Sequence, residues 1–372
     1  MYDIAIIGAG INGCSVAYEF TQEGQKVILF DMEKIANGGS GAAGAFISPK
    51  FSKAGDLKEL LHDAFVYSMD YYEKYFPHLI DKSPLLHIAK DIFDEEALKI
   101  YKEKTPLELL IPSNEDIQKL TSQAASKEIV SLNAAVVNAE QMCQAMAKSA
   151  KFVKQEVKSL IYDDGFWVIN ESYSAKEVVL ATGAYEKIIK EPYINLRGVW
   201  GHRIDVGTST INNNSLHQFV SISTSDNGKL AIGATHNVHY HPQTSNEPYD
   251  IKLGRKELLE KASKTIKLNN LKVLKDYTGL RSGSFDYLPL LGKLVMSEET
   301  LMDKTINFKT KKPNYDSYTY YPNLTMINGS GGYGFVLAPY LAKILKEYIL
   351  KNRKINEKII PARFFYRYAK KR

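Results

Sequence analysis

Three glycines in Gly8-Ala9-Gly10-Ile11-Asn12-Gly13 stand at the G-x-G-x-x-G spacing. That spacing lets a backbone turn tightly, approach a pyrophosphate, and enter a helix packed close to its strand. The chemistry it serves is dinucleotide binding, with helix N-terminal amides and the helix dipole facing phosphate. Asp31, 18 residues beyond Gly13, stands where an acidic side chain accepts hydrogen bonds from a ribose. The motif alone leaves nicotinamide and flavin dinucleotides open, and Asp31 is more usual with the nicotinamide one.

Later segments point to FAD. Asn37 to Ala45 is a second run of small residues, including Gly39, Ser40, Gly41, Ala42, Ala43 and Gly44. A nicotinamide domain has no use for such a loop directly after its second strand. A FAD site uses one to cover the pyrophosphate and run toward the flavin ring. Val178 to Leu180 reads as a buried strand ending in the turn Ala181-Thr182-Gly183. Met326 to Asn328 leads into Gly329-Ser330-Gly331-Gly332-Tyr333-Gly334 and then a helix from Phe335 to Lys351. A helix start there stabilises negative charge on a reduced flavin ring. Tyr333 either lines that ring or packs beside it. His202 and Arg203 follow Val199-Trp200-Gly201 on a strand expected to face the flavin, so both are site candidates. His236, His239 and His241 lie close in sequence, but no carboxylate or cysteine completes a metal set. They read as a surface strand and loop, and no metal is expected. Cys14 reads as packing on the first helix.

These residues need a scaffold to hold them. Ile4 to Ile7 and Lys26 to Phe30 read as buried parallel strands. A helix from Asn12 to Glu23 joins them, and Gly24 ends it. Arg197 to Val206, Gln218 to Thr224 and Lys229 to Ala234 read as antiparallel strands, with Leu253 to Ile266 as a covering helix.

The bulk properties set limits. The chain has 372 residues, 44% of them hydrophobic, enough for two domains. Its two cysteines, Cys14 and Cys143, make neither a metal spacing nor a disulfide framework. No secretory signal and no apolar run of the roughly 20 residues a membrane span needs are read, so a soluble, cytoplasmic protein is expected. From Leu341 to Arg372 there are 11 Lys/Arg and 2 Glu, a local net of +9 against +6 for the whole, which leaves −3 elsewhere. This tail is either a solvated helix or a surface for an anionic partner. The segment Thr305 to Tyr321, with Lys309, Lys311, Lys312, Tyr315, Tyr318, Tyr320 and Tyr321, is either a solvent loop or a basic–aromatic loop suited to RNA.

Taken together, GAGINGC (Gly8 to Cys14), GGSGAAGAFISP (Gly38 to Pro49), VVLATGAY (Val178 to Tyr185), GLRSGSFDYLPLLG (Gly279 to Gly292) and GSGGYGFVLAP (Gly329 to Pro339) resemble the D-amino-acid oxidase family of FAD-dependent oxidoreductases. The resemblance covers nearly the whole chain. It implies a mixed α/β fold with non-covalent FAD in an interrupted Rossmann domain, at residues 1–76, 137–196 and 320–372. An antiparallel-sheet substrate domain would take residues 77–136 and 197–319. It adds Met32 and Val157 to the expected cofactor contacts. It also implies that Arg281 holds a substrate carboxylate, a role that suits a bidentate guanidinium; the alternative is a structural ion pair.

Within the family, Ile359 to Arg367, Gly41 to Phe51, Leu57 to Tyr72 and Gly233 to His236 are similar to the oxidase half of bifunctional enzymes that modify the tRNA wobble uridine. Those enzymes carry a methyltransferase domain, for which this chain leaves no room, so a separate methyltransferase is expected. The resemblance implies oxidative removal of the carboxymethyl group from 5-carboxymethylaminomethyluridine, with tRNA as substrate. The competing reading is a small-molecule oxidase or dehydrogenase of glycine, sarcosine or D-amino acids. A third is a flavin-binding protein without catalysis. None of these motifs indicates the electron acceptor.

Overall fold

The computed structural model describes every residue except Lys53, Glu186, Lys187 and Lys311. Lys311, one of the expected loop cations, therefore lies outside the described residues.

The chain begins β1 (Tyr2–Ile7), α1 (Ile11–Gln22), β2 (Val27–Asp31), β3 (Phe46–Ile47), α2 (Asp56–Tyr75) and β4 (Ile80–Ile88). It continues through α3 (Ile92–Lys104), β5 (Leu109–Leu110), α4 (Asn114–Lys119), α5 (Ser122–Ala125), β6 (Ile129–Val137) and α6 (Ala139–Ala147). Next come β7 (Lys151–Lys154), β8 (Leu160–Asp163), β9 (Phe166–Ile169), β10 (Tyr173–Leu180) and β11 (Leu196–Gly207). Then follow β12 (Ser215–His217), β13 (Ser221–Ile222), β14 (Lys229–Gly233), α7 (Ile251–Ser263), β15 (Lys272–Ser284) and β16 (Leu290–Val295). The last elements are α8 (Ser297–Met302), β17 (Tyr320–Asn328), α9 (Gly334–Lys351) and α10 (Ala362–Ala369).

Two sheets carry the molecule. The first has order β16-β17-β10-β1-β2-β7, parallel from β17 to β7, with β9 and β8 added beside β10. Ile4, Ile6 and Leu29 face a core shared with α1, α2, α6 and α9, while Ala5, Ile28 and Phe30 face the β8–β9 hairpin and α10. Burial on both faces is why these strands read as continuous apolar runs. The second sheet runs β15-β11-β14-β13-β12-β4-β6-β3 and is antiparallel except between β12 and β4. Ile204, Val206, Leu216, Ile222 and Ile232 point to α7, which covers one side of it. Its other side faces the cofactor layer.

Three expectations are corrected. β3 belongs to the second sheet and β16 to the first, so the layers exchange chain away from residues 76 and 319. The expected strand Gln218 to Thr224 is broken by a turn at 218–220. Buried Gln218 anchors that turn, donating to the Ala89 carbonyl at 3.0 Å and accepting from Thr265 Oγ1 at 2.6 Å.

Candidate active site

The cofactor cradle forms where β1 ends. Gly8 has φ +106°, and a Cβ on Gly13 would lie 1.9 Å from the Gly8 carbonyl oxygen. Only glycine lets α1 start this close to β1. Gly10 caps α1 without a side chain. The Ile11 amide donates to Ser40 Oγ at 2.9 Å, and the amides of Asn12 and Gly13 find no acceptor among the described residues. Unfilled amides at a helix start suit a pyrophosphate. Asp31 accepts from the Ala9 amide at 2.9 Å and the Glu33 amide at 3.1 Å, which fixes its carboxylate and leaves further lone pairs for a ribose. Met32 is exposed beside it, and Val157 is buried in the core that holds Ile28 and Phe30.

The other expected loops converge here. Gly39 lies against β15: the atom that a Cβ on Gly279 would touch is Gly39 Cα, at 2.9 Å. The segment containing Gly41, Ala42, Ala43 and Gly44 thus runs beside the strand bearing Arg281. Buried Asn328, which the sequence reading missed, ties three elements together. It donates to the Gly183 carbonyl at 3.0 Å, next to Ala181 and Thr182, and accepts from the Gly329 amide and Ser282 Oγ. Ser330 Oγ donates to Asn12 Oδ1 at 3.1 Å, joining the Gly331-Gly332-Tyr333-Gly334 turn to the first motif. Lys50 Nζ lies 3.4 Å from the Tyr333 hydroxyl. The uncapped helix, the glycine contacts and the anchored acid together fit FAD.

Arg281 is half-buried and donates to the Thr235 carbonyl at 3.2 Å. It has no carboxylate partner among the described residues. Burial pulls its pKa down from the ordinary value, though a guanidinium stays charged. Gly201 makes room for it: a Cβ there would meet Arg281 Nη2 at 2.4 Å. A buried cation without a counter-ion is costly unless an anion joins it, so the arrangement is suited to a carboxylate.

Strand register sorts the other candidates. Arg203 lies on the Arg281 side of β11, over the Tyr277 ring at 3.9 Å and paired with Asp205 at 3.3 Å. His202 does not face the cofactor. As the next residue on a strand it points to the opposite side, where it is fully buried and bonds Asp276 at 2.9 Å beneath α7. His236, read from sequence as a surface residue, sits beside Arg281. The Thr235 amide bonds the His202 carbonyl and Asn237 bridges Trp200, so His236 falls opposite Gly201. It is exposed, and its ring has no hydrogen-bond partner among the described residues. Partial burial, and then Arg281 and Arg197, hold its pKa below the ordinary value. The segment Gly233 to His236 stands out in the sequence, but only the strand pairing shows that His236 neighbours Arg281. Among the described residues, no three His, Cys, Asp or Glu side chains gather as a metal group. Cys14 is buried, with Sγ 3.3 Å from the Ala9 carbonyl, and burial pushes its thiol well up.

Five of the eleven cations of the basic tail are held in ion pairs. Arg363 and Arg367 both pair with Asp286, Lys346 with Glu19 and Glu23, Arg353 with Glu347, and Lys358 with Asp56. Phe365 is a core residue against Tyr193, Phe308 and Tyr318. Within Thr305 to Tyr321, Tyr318 is buried, and Tyr321 donates to Glu191 at 2.8 Å. Both segments thus give aromatic side chains to the body of the fold, while Lys309, Lys312, Lys370, Lys371 and Arg372 stay exposed. They pack on each other, with the Tyr366 hydroxyl on the Thr310 carbonyl at 2.5 Å. No helix among the described residues is long and apolar enough to cross a membrane.

Comparison with known proteins agrees with this geometry. A model of the DAO family, described as FAD dependent oxidoreductase, matches residues 3–348. The tRNA 5-methylaminomethyl-2-thiouridine biosynthesis bifunctional protein MnmC of Dichelobacter nodosus is 26% identical over 384 residues, covering 97% of this chain and 57% of that protein. Its namesake from Leptospira interrogans serovar Lai is 23% identical, covering 99% of this chain and 61% of that one. The chain thus spans somewhat more than half the length of these relatives. Glycine oxidase from Bacillus cereus shares the fold at TM-score 0.73 and 20% identity, over 95% of this chain and 96% of that one. L-proline dehydrogenase from P. horikoshii does so at TM-score 0.74 and 18% identity, over 98% and 97%.

Proposed function

The chain belongs to the DAO family of FAD-dependent oxidoreductases, and on that premise we propose that it oxidises the carboxymethylaminomethyl group at C5 of the tRNA wobble uridine. A bound FAD would supply the hydride acceptor for the carboxylate-bearing carbon next to the amine nitrogen. The imine left on the substrate adds water and separates into glyoxylate and a 5-aminomethyluridine. The observation that carries this reading is Arg281, a half-buried guanidinium with no carboxylate partner among the described residues, held beside the cofactor loop by Gly201 and Gly279. It binds the carboxylate and so aims the adjacent carbon at the cofactor. His236 lines the same spot and is open to solvent, which suits a substrate whose bulk remains outside. The MnmC-named relatives point to tRNA, and a tRNA substrate places the reaction in the cytoplasm.

A free N-alkylglycine is the second reading. It is favoured by the tail, where five of the eleven cations are held in ion pairs within the chain. Mass analysis of wobble nucleosides, after incubating holoenzyme with carboxymethylaminomethyl-bearing tRNA, separates the two. Loss of the carboxymethyl group is expected. Unchanged tRNA alongside rapid sarcosine or glycine turnover overturns the tRNA reading.

A further inference from the structure

Five strands place a row of side chains on the side of the second sheet that carries Arg281. Arg203 pairs with Gly233, Gly233 with Ser221, Ser221 with His217, and His217 with His87. Gly233 and Ser221 leave a low floor in the middle. The ends are tall, and three of their nitrogens, Arg203 Nε, His217 Nε2 and His87 Nδ1, are buried with no hydrogen-bond partner among the described residues. Burying an unpartnered polar atom is costly, and retained orphans call for an explanation such as a ligand or water. Rings flank the histidine end. Phe51 stacks on His87 at 4.2 Å and 19°, and Phe46 meets His217 edge-on at 5.0 Å. Phe46 also lies back on the cofactor loop, since a Cβ on Gly44 would fall 2.6 Å from its ring.

We propose that this row is a nucleobase subsite, in which the pyrimidine ring of the substrate lies over Ser221 and against Phe46, with its polar edge toward His217 and His87. The proposal rests on the tRNA reading above and says where the base goes. Burial, helped by Lys90, holds His217 down to about 4, and burial, helped by His217 and nearby lysines, holds His87 down to about 3. Both imidazoles are therefore neutral near pH 7, and each offers one N–H and one acceptor nitrogen. That pairing complements the alternating donor and acceptor edge of a uracil.

The reach is compatible. Ser221 lies two strands over and two residues along from Gly201, where the Arg281 guanidinium sits, so about 12 Å separates them at usual sheet spacings. Four bonds from carboxylate carbon to C5 extend about 5 Å. With an ion-pair contact of about 2.8 Å, the near edge of the ring falls about 8 Å from the guanidinium and its far edge approaches Ser221.

The test is anaerobic reduction of the FAD holoenzyme by 5-carboxymethylaminomethyluridine, with the rate followed against nucleoside concentration. For His217→Leu and His87→Leu we expect the apparent Kd to rise at least tenfold while the limiting reduction rate stays within about threefold. His217→Gln, which keeps a polar end, should recover most of the affinity. Equal losses in rate and affinity, or an unchanged Kd in variants that retain flavin, overturn the subsite. A wild-type enzyme that neither the nucleoside nor the tRNA reduces, but sarcosine does, instead overturns the tRNA reading on which it rests.

Discussion

Around the cofactor cradle a Cβ is what the fold cannot accommodate, whereas on the substrate face side chains are what it supplies. Gly8 and Gly13 bring backbone to backbone, and the groups left for a phosphate are the main-chain amides of Asn12 and Gly13. On the substrate face, Arg281, Arg203, His217 and His87 each project from a strand and His236 from the segment just past β14, and register decides which of them meet. A backbone site and a side-chain site should therefore fail differently when changed.

The largest effect belongs to the cradle. Gly13→Ala puts a methyl 1.9 Å from the Gly8 carbonyl, so β1 and α1 must separate. Overpacking of this kind costs about 1–3 kcal/mol, and here it also misplaces the phosphate amides. The purified variant should carry little flavin, read from the absorbance ratio at flavin and protein bands. Full flavin occupancy would break the claim that the cradle is set by backbone approach.

Arg281→Ala comes next and should separate the two regions. Truncating one partner of a buried charge pair costs about 2–5 kcal/mol, so kcat/KM should fall by roughly 30- to several thousand-fold at about 1.4 kcal/mol per decade. The flavin should stay bound. Gly201→Ala should act in the same direction but less strongly, because it displaces the guanidinium by steric contact without removing it. If Arg281→Ala loses flavin instead, the arginine belongs to the cradle and the division fails.

These differences also explain what could be read from residues in order. All four small-residue loops were legible because glycine at fixed spacing reports a backbone requirement directly. So was Arg281, inside GLRSGS. His202 was misplaced, and His236 overlooked, because a one-residue step on a strand moves a side chain to the opposite face, and the local sequence does not say which face is which. The tail was legible only as a net charge, because the carboxylates that pair with five of its cations, among them Asp286, Glu19 and Asp56, lie far from it in the chain.

A smaller effect concerns acid. His87 and His217 take up a proton in the fold only near pH 3 and 4, whereas in the unfolded chain they do so near 6.5. Between those values the unfolded state holds more protons, so stability is full above pH 6.5 and declines as pH falls toward 4. Denaturant midpoints at pH 7 and pH 5 should differ for the wild type and differ less for His217→Phe. An equal drop in both would mean that His217 is not held neutral by burial.

The smallest change should come from a side chain inside the cradle. Asp31→Asn keeps a carbonyl oxygen that can accept from the Ala9 amide, so the turn stays anchored. What is lost is the charge-assisted part of the ribose contact, about twice the strength of a neutral hydrogen bond. That amounts to roughly 1 kcal/mol, or about fivefold in FAD affinity. Equilibrium dialysis against free FAD measures it. A collapse as complete as that of Gly13→Ala would show that the acid, and not the backbone, carries the cradle, and the contrast with the substrate face would then disappear.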